Sequence, residues 1–305
     1  MKKPRIVVIG LSGQSVFIKV DHFHQPGETL IGKSLFIEPG GKGYNQAVAA
    51  ARLGAEVSFI TATGNDDYGK ECIKRLILEQ IDCKYSVVYE DIRTAYAVIL
   101  TDPNGENRVT VYHGASGCLQ PDDIKAAEHM IANSDALLIQ LEIPIETVEF
   151  AITMANNYNV PVFLNPAPAV KLETGLLEKV SLIIPNKQEA QVIFSLDDNS
   201  FENVSKIREA LLKHRVNQAV ITMGDAGALV VTREYEERIH PVHIIPVDTT
   251  GAGDVFSAAI TVALLSKKTL ADAANFAAKA AAISVTRRGV LNSIPSAIEV
   301  ASCEL

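Results

Sequence analysis

The stretch DTTGAGDVFSA at residues 248–258 combines two glycines, two aspartates and the start of an apolar helix. A strand-like run, HIIPV, precedes it, and the helical pattern VFSAAITVALL overlaps its end. Gly251 and Gly253 allow the backbone to turn tightly and to approach a ligand closely. Their amides and that of Ala252 would point from the amino terminus of the helix, where unpaired N–H groups and the helix dipole favour an anion.

Asp254 stands inside this predicted anion site, where a carboxylate would repel a plain phosphate ligand. The arrangement makes chemical sense if the carboxylate takes a proton from a hydroxyl while the amides stabilise charge on a transferred group. The alternative is a helix cap, because an aspartate in the first turn stabilises a helix. Short GxGD motifs recur by chance, so the longer string DTTGAGD is what favours the catalytic interpretation.

The composition is that of a globular protein with a large core. Of the 305 residues, 48% are hydrophobic and 21% are charged, which argues against disorder. The formal net charge of −8 argues against nucleic acid or an anionic membrane as the main partner, because both are bound by basic surfaces. A local cationic pocket for a small anion stays compatible with this charge.

Cysteine usage and the amino-terminal residues bear on the compartment. The four cysteines show no CxxC and no regular spacing, which is typical of reduced thiols in a cytoplasmic protein. The start MKKPRIVVIGL has the basic end of a signal peptide, but its apolar run is short and no small-residue cleavage pattern follows. No apolar run reaches the about 18 residues of a membrane helix. The sequence therefore predicts a soluble, cytoplasmic protein with no membrane partner.

Short β-branched runs alternate with helical patterns along most of the chain, which predicts βαβ units around a mainly parallel sheet. The predicted strands are 5–10, 57–61, 136–140, 161–165, 182–185, 218–223 and 228–232. The predicted helices are 43–53, 66–80, 121–132, 146–158, 187–195, 201–214, 252–266 and 270–286.

Two segments, 16–38 and 93–114, break this rhythm with alternating, half-polar patterns. Each contains turn residues, Pro-Gly at 26–27 and Asp-Pro-Asn-Gly at 102–105, which is typical of half-exposed antiparallel hairpins. We expect the two hairpins to form one small extra sheet that serves as a lid or a dimer surface. Since the chain has no internal repeat or low-complexity linker, it is predicted to be a single domain, 1–305, with these lid strands inserted.

The string DTTGAGDVFSAA resembles the C-terminal signature of the ribokinase-like (PfkB) carbohydrate kinases, and PGGKGYNQAVAAARLG at 39–54 resembles their N-terminal signature. The strings LLIQLE, LNPAPA, IIPNKQEA, ITMGDAGALV and AAAISVTRRGVLNSIP follow in the family's order, so the resemblance covers nearly the whole chain. It is strongest to the ribokinase branch. It implies a three-layer α/β/α fold with a wound, mainly parallel sheet and a β-sheet lid, ATP and Mg²⁺ as cofactors, a small sugar as substrate, and a homodimer through the lid.

The resemblance also implies catalytic and sugar-binding residues. Asp254 is the general base, and the amides of Gly251, Ala252 and Gly253 form the anion hole. The chain contains no GxxxxGK[ST] motif, and the loop at 40–43 lacks a Ser or Thr after its lysine, so the resemblance assigns this loop to the sugar. The implied sugar-binding residues are Gly13, Ser15, Gly41, Lys42, Gly43, Asn45, Glu142 and Asp254.

Nucleotide and metal ligands follow from the same resemblance. Asn186 and Glu189 match the family's NxxE pattern, associated with Mg²⁺ through water, although the pair also fits a helix cap with a capping box. The implied nucleotide-binding residues are Asn186, Thr222, Gly224, Gly227, Gly253 and Ala278, of which Ala278 replaces the family's usual His or Asn, and the segment TMGDAG also reads as a plain strand–turn–strand. A monovalent cation, K⁺ in the family, is implied at Asp248, Thr250, Ser284, Arg287, Gly289 and Ser293, mostly through backbone oxygens.

The first strand departs from the ribokinase pattern Gly-Ser-x-Asn-x-Asp. The stretch GLSGQS at 10–15 puts Gly13 at the Asn position and Ser15 at the Asp position. Losing a charged hydrogen bond to a sugar hydroxyl should cost about 1–3 kcal/mol. The sequence therefore predicts a best acceptor that need not be free ribose, but is larger or has fewer or differently placed hydroxyls.

Three functions stay open at this point. The leading one is an ATP-dependent kinase that transfers the γ-phosphate to a hydroxyl of a small sugar. The second is a nucleoside kinase, because a nucleoside presents a ribose whose 5′-hydroxyl can take the phosphate. The third is a catalytically weak sugar-sensing protein, since a fold does not fix a function. The retained Asp254, glycine loop and NxxE pair argue against the third, because a sensor has no use for the base.

Overall fold

A computed structural model of the chain describes residues 2–303. Its strands are β1 Arg5–Ile9, β2 Gly13–Lys19, β3 Ser34–Gly40, β4 Glu56–Ile60, β5 Ala62–Gly64, β6 Val87–Tyr89, β7 Ala95–Thr101, β8 Asn107–Tyr112, β9 Ala136–Ile139, β10 Val162–Leu164, β11 Leu182–Ile183, β12 Gln218–Thr222, β13 Ala228–Thr232 and β14 Glu236–Ile239. Its helices are α1 Lys42–Arg52, α2 Asp67–Leu78, α3 Pro121–Ala126, α4 Glu128–Ala132, α5 Ile145–Asn157, α6 Thr174–Leu177, α7 Lys187–Phe194, α8 Val204–Lys213, α9 Ala252–Leu265, α10 Leu270–Val285 and α11 Ala297–Ser302.

The central sheet has the strand order β14-β13-β12-β11-β10-β9-β1-β4. From β4 across to β12 the neighbouring strands run parallel, and β13 and β14 add an antiparallel edge. All residues of β9 are buried, as expected of a strand that is covered on both faces. The predicted wound, mainly parallel sheet is confirmed.

Helices cover both faces of this sheet, and successive residues of β1 show how. Val8 packs into a core with α1, α2, α9 and α10. Val7 and Ile9 pack into a second core with α3, α5, α7 and α8. The alternation follows from the two-residue period of a strand, whose successive side chains point to opposite faces. The three-layer α/β/α architecture is therefore confirmed.

The predicted strands and helices appear within three residues of their predicted bounds. The predicted helix at 121–132 is divided into α3 and α4 at Ala127. Gly54 stands just beyond the end of α1 with a φ of 105°, as the helix-stop prediction required. The patterns missed β5, β6, β14, α6 and α11, because elements this short carry too few residues for a periodic signal.

The two hairpin segments meet in one four-stranded sheet, called here the small sheet, with the order β3-β2-β7-β8. The pairs β2–β3 and β7–β8 are antiparallel, and β2 runs parallel to β7. The bounds differ from the sequence pattern, since β2 starts earlier, at Gly13, β7 starts later, at Ala95, and residues 20–33 contain no strand. That the small sheet acts as a lid within a single domain stays a prediction.

The four cysteines are free thiols. Within residues 2–303, no helix is both long and apolar enough to cross a bilayer. The cytoplasmic location stays a prediction.

Candidate active site

The candidate site lies where the parallel strands of the central sheet end. Gln140 directly follows β9, Asn165 directly follows β10, and Thr222 is the last residue of β12. Open α/β sheets bind their ligands at this edge, because the loops after neighbouring strands meet there. The amino-terminal turns of α1 and α9 lie at the same edge and supply the remaining groups.

The glycine loop before α1 serves a close approach between backbones. Gly41 has a φ of 106°, in the left-handed region that favours glycine. A Cβ placed on Gly43 would lie 2.7 Å from the Cα atom of Gly10, at the end of β1. Part of the glycine pattern is therefore explained by packing of α1 against β1, and the predicted contact with a sugar stays a prediction.

The glycines before α9 shape its amino terminus. Gly251 precedes the helix with a φ of 78°, and a Cβ there would lie 2.6 Å from Cγ1 of Val290. A Cβ on Gly253 would meet no atom within 4 Å, so this side of the helix terminus is open. The Ala252 amide contacts the Thr249 carbonyl at 3.3 Å. We call the segment Gly251–Gly253 the anion cup.

Asp254 lies in the first turn of α9, and only 5% of it is exposed. Its Oδ2 accepts a hydrogen bond of 2.8 Å from Nδ2 of Asn45, and its Oδ1 accepts one of 3.0 Å from Nε2 of Gln46. Burial raises the pKa of this carboxyl, while the Lys42 ammonium and the two amide donors oppose the rise. The carboxylate is thus held in one orientation at the edge of the anion cup.

Three buried amide side chains support Asp254, and sequence reasoning missed all of them. Gln46 donates from Nε2 to Oδ1 of Asn165 at 3.0 Å as well as to Asp254. Gln140 donates to Oε1 of Gln46 at 2.5 Å, and Asn165 donates to the Ile184 carbonyl at 2.9 Å. A usable signal existed, because Gln140 and Asn165 are polar residues directly after buried strands.

Glu142 and Lys42 form a second buried contact. The Lys42 amide donates to Oε2 of Glu142 at 2.8 Å. Burial raises the pKa of the Glu142 carboxyl to about 7, although the Lys42 ammonium and amide act to lower it. Burial acts to lower the pKa of Lys42, but the carboxylates of Asp254 and Glu142 outweigh it, so that pKa is raised. At neutral pH Lys42 stays cationic, which suits an anionic ligand.

A cavity of about 180 Å³ opens between α1, α7 and α9. A larger groove of about 450 Å³ beside α2 has a mainly apolar lining and shares none of the predicted site residues. The predicted residues that line the smaller cavity are Lys42, Asn186, Glu189, Thr222, Gly251, Gly253 and Asp254. The structure thus brings residues from the predicted sugar, nucleotide and metal sets to one place.

Asn186 and Glu189 form the capping box that the sequence also allowed. Oδ1 of Asn186 accepts from the Glu189 amide, and Oε2 of Glu189 accepts from the Asn186 amide, each at 2.8 Å. Burial raises the pKa of Glu189, partly offset by the Asn186 amide and Lys42. Within residues 2–303 no group of three His, Cys, Asp or Glu side chains is placed to hold a metal. The oxygen donors present fit Mg²⁺, which commonly uses one or two carboxylates with water and phosphate oxygens.

The other predicted nucleotide residues lie apart from the cavity lining. Gly224 and Gly227 flank the turn between β12 and β13, with φ of 60° and 85°. A Cβ on Gly227 would lie 2.1 Å from the Ile239 carbonyl oxygen, so packing against β14 explains this glycine. Ala278 lies on α10, packed against the core. Contact between these residues and a nucleotide stays a prediction.

The residues implied for a monovalent cation form a connected loop pair. Asp248 accepts from the Thr250 amide at 3.0 Å and from the Gly289 amide at 3.1 Å. The hydroxyls of Ser284 and Ser293 donate to the backbone carbonyls of Ala281 and Val290, and Arg287 pairs with Glu299. The side chains are therefore occupied locally, and a cation here would rely on backbone oxygens.

Gly13 and Ser15, where the chain departs from the ribokinase pattern, lie on β2. A Cβ on Gly13 would lie 2.4 Å from the Ala95 carbonyl oxygen, so a larger residue requires β2 and β7 to separate. The Ser15 hydroxyl and Oδ1 of Asn45 both lie near Gly40, where a Cβ would be 2.4 Å from the first and 3.8 Å from the second. That Asn45 oxygen is buried without a hydrogen-bond partner among the described residues, so its acceptor capacity is unused.

Moving a charged group between two small molecules requires a fixed base, a cationic or amide-lined cup and exclusion of water. The fold and the cavity around Asp254 define a transferase of that class. The sequence model of the family described as "pfkB family carbohydrate kinase" matches residues 3–297, so the chain belongs to this family. It is accordingly a phosphotransferase with an alcohol group as acceptor.

Individual relatives cover nearly the whole chain. It is 37% identical over 291 residues to the ribokinase of Haemophilus influenzae, with 95% of each chain covered. It is 31% identical over 292 residues to the deoxyribokinase of Salmonella typhi, again with 95% of each covered. The structure of Arabidopsis thaliana ribokinase complexed with ribose and ATP has a TM-score of 0.87 and 26% identity, covering 99% of this chain and 98% of that one.

The raised pKa of Glu142 predicts a pH-dependent stability. A carboxyl that binds its proton more tightly in the folded than in the unfolded chain makes the free energy of unfolding fall as pH rises from 4.5 to about 7. Glu142→Gln cannot ionise and should lack this part of the fall. Urea unfolding at about pH 5 and about pH 8 should therefore give midpoints that differ less in the variant than in the wild type.

Glu299→Gln is the matched control. The Ser296 amide, Arg287 and the Ser296 hydroxyl lower the pKa of Glu299 to about 2, so its stabilisation is present above 4.5 and is lost as pH falls towards 2. Between about pH 5 and about pH 8, the free energy of unfolding of this variant should fall by as much as that of the wild type. Parallel falls in the wild type and Glu142→Gln would contradict the raised pKa of Glu142.

Proposed function

We propose that the chain is an ATP-dependent kinase that transfers the γ-phosphate to a hydroxyl of a small sugar, with Asp254 as general base. The observation that carries this proposal is the buried carboxylate itself, fixed by Asn45 and Gln46 beside the anion cup. The similarity to a ribokinase complexed with ribose and ATP supports the choice of phosphoryl donor.

The proposed chemistry divides between two sides of Asp254. On the acceptor side, the carboxylate takes the proton of the attacking hydroxyl, while Oδ1 of Asn45 and the Glu142 carboxylate orient the sugar through its other hydroxyls. On the donor side, the amides of the anion cup and the Lys42 ammonium stabilise the charge on the transferred group. Bound Mg²⁺ would neutralise phosphate charge, held through water by Glu189 and Asn186.

The acceptor is proposed to be a pentose or similar sugar with fewer hydroxyls to satisfy than ribose. Gly13 has no side chain, and Ser15 offers a hydroxyl where ribokinases place a carboxylate. The Ser15 hydroxyl is neutral, so each hydrogen bond to a sugar is weaker than a charge-assisted one. The match to a deoxyribokinase alongside ribokinases supports a 2-deoxy sugar as a candidate.

Asp254→Asn should lower kcat by about 10²–10⁴-fold, because the general base is lost. Asp272→Asn is the matched control, since Asp272 also lies in the first turn of a helix, α10, but is exposed. ADP release with ATP and a panel of sugars measures turnover, and calorimetry with a non-hydrolysable ATP analogue checks that the nucleotide still binds. Turnover within about threefold of the wild type in Asp254→Asn would remove this residue from the proposed role.

The acceptor is tested by kcat/KM for ribose, 2-deoxyribose, hexoses and nucleosides. We expect 2-deoxyribose to be used at least as well as ribose. Ser15→Asp, checked for folding by its Tm, should shift the ratio of kcat/KM for ribose to that for 2-deoxyribose towards ribose by about 5- to 150-fold. The reason is that a carboxylate accepts hydrogen bonds from hydroxyls, and 2-deoxyribose has one hydroxyl fewer than ribose. Ribose turnover with a micromolar KM in the wild type, or a clear preference for a nucleoside, would contradict the proposed acceptor.

A homodimer through the small sheet is also proposed. By strand register Leu35, Ile37 and Tyr112 share the face of this sheet opposite Ser15, and they are 64%, 42% and 57% exposed. An exposed apolar face on a small sheet is typical of a surface that a partner covers.

Light scattering at micromolar concentration should give a dimer for the wild type. Ile37→Lys should give a monomer, because it would bury a charge in the interface. Ile245→Lys, which changes a side chain 88% exposed outside the sheet, should leave the dimer intact. A monomeric wild type, or a dimeric Ile37→Lys, would contradict this interface.

A further inference from the structure

Glu38 is a buried acid on the small sheet that neither the motifs nor the proposed chemistry explains. It lies on β3, directly before the PGGKG segment, and only 6% of it is exposed. In the strand register it stands opposite Ser15, so the two side chains share one face of the small sheet. An acid at such a buried position requires hydrogen-bond partners.

The partners of Glu38 are two backbone amides of the carboxyl-terminal loop. The Val290 amide donates to Oε1 at 2.5 Å, and the Leu291 amide donates to Oε2 at 3.2 Å. Hydrogen bonds to a carboxylate are about twice as strong as neutral ones. From the other side, Nη1 of Arg52 donates to the Leu291 carbonyl at 2.5 Å. The turn at 289–291 is thus held by hydrogen bonds to both Glu38 and Arg52.

The same turn packs against the anion cup. A Cβ on Gly251 would lie 2.6 Å from Cγ1 of Val290, so the Val290 side chain covers the residue that begins the cup. The Gly289 amide donates to Asp248, and the other oxygen of that carboxylate accepts from the Thr250 amide. The Asp248 carboxylate therefore connects the backbone at Thr250 to the turn that Glu38 binds.

We propose that Glu38 is a positioning residue that couples the small sheet to the anion cup through the turn at 289–291. Ser15 and Gly40, on the acceptor side, belong to the same sheet, so a sheet that moves on acceptor binding moves Glu38 with it. Displacing the carboxylate leaves two amides without their acceptor, which favours a shift of the turn against Gly251. This proposal rests on the proposed function of the cup, because a cup that binds no phosphate has nothing to couple.

Glu38 has one competing role, which is direct binding of the acceptor in place of the carboxylate absent at Ser15. The two roles differ in what a substitution changes. A direct ligand sets the affinity for the sugar with no nucleotide present. A positioning residue leaves that affinity intact and changes the order of the cup and the rate of transfer.

The test is amide hydrogen exchange measured by mass spectrometry on segments 248–256 and 286–294. In Glu38→Gln one oxygen is replaced by an NH₂ group that faces an N–H, so both segments should exchange about tenfold faster than in the wild type. Glu299→Gln is the matched control, because Glu299 accepts from the Ser296 amide and from Arg287 in the same carboxyl-terminal region but forms no hydrogen bond with residues 289–291. It should leave segment 248–256 unchanged.

Val290→Ala provides a second variant that does not depend on the acid. It keeps the amide that Glu38 binds but removes the side chain that covers Gly251, so segment 248–256 should exchange faster with the acid intact. If Glu38→Gln does not fold, this variant decides the outcome. Unchanged exchange of segment 248–256 in Val290→Ala, or in a folded Glu38→Gln, would overturn the proposal, as would equal loosening in Glu299→Gln.

A kinetic measurement separates positioning from binding. In Glu38→Gln, kcat with ATP and either ribose or 2-deoxyribose should fall about tenfold, while the Kd of the same sugar without nucleotide stays within about twofold. A weakened Kd with an unchanged kcat would assign Glu38 to the acceptor and overturn the positioning role. The exchange experiment needs no turnover, so a failure of the Asp254→Asn test can be told apart from a failure of this one.

Discussion

The burial of one carboxylate, that of Asp254, is the constraint on which the rest of the site depends. Removing an ionised carboxylate from water is costly unless both oxygens receive hydrogen bonds. Its two donors, Asn45 and Gln46, are neighbours in α1, so α1 must lie against α9. That packing in turn requires Gly43, because α1 also approaches the end of β1. The glycine loop therefore supports the acid through packing before any ligand is bound.

Sequence patterns predicted the central sheet well, because its strands are buried on both faces and its helices are long. They also placed Gly251 before a helix and Asp254 in its first turn, since both follow from local backbone chemistry. They did not find Glu38 or Gln46. The partners of these residues lie more than 200 positions away in the chain, at Val290 and Asp254, and local periodicity carries no information about such pairs.

The glycine at position 13, where ribokinases have an asparagine, has two explanations. The sequence indicated a lost sugar contact, and the structure adds that β2 lies so close to β7 that a Cβ would meet the Ala95 carbonyl. The sulfur of Cys72 also donates to the Gly13 carbonyl at 3.3 Å, from the helix α2. Gly13 therefore lacks a side chain because the small sheet packs closely against the rest of the protein at this point. The loss of a sugar contact here follows from that packing.

The amide network fixes the direction of the hydrogen bond from Gln46 to Asp254. The Ile184 carbonyl can only accept, so Asn165 must turn its NH₂ group to it and present Oδ1 to Gln46. Gln46 must then face both Asn165 and Asp254 with its NH₂ group. A proton on Oδ1 of Asp254 would compete with the N–H of Gln46 for that oxygen and weaken their contact. A single backbone carbonyl at the end of β11 therefore biases Asp254 towards the ionised form, against the effect of burial on its pKa.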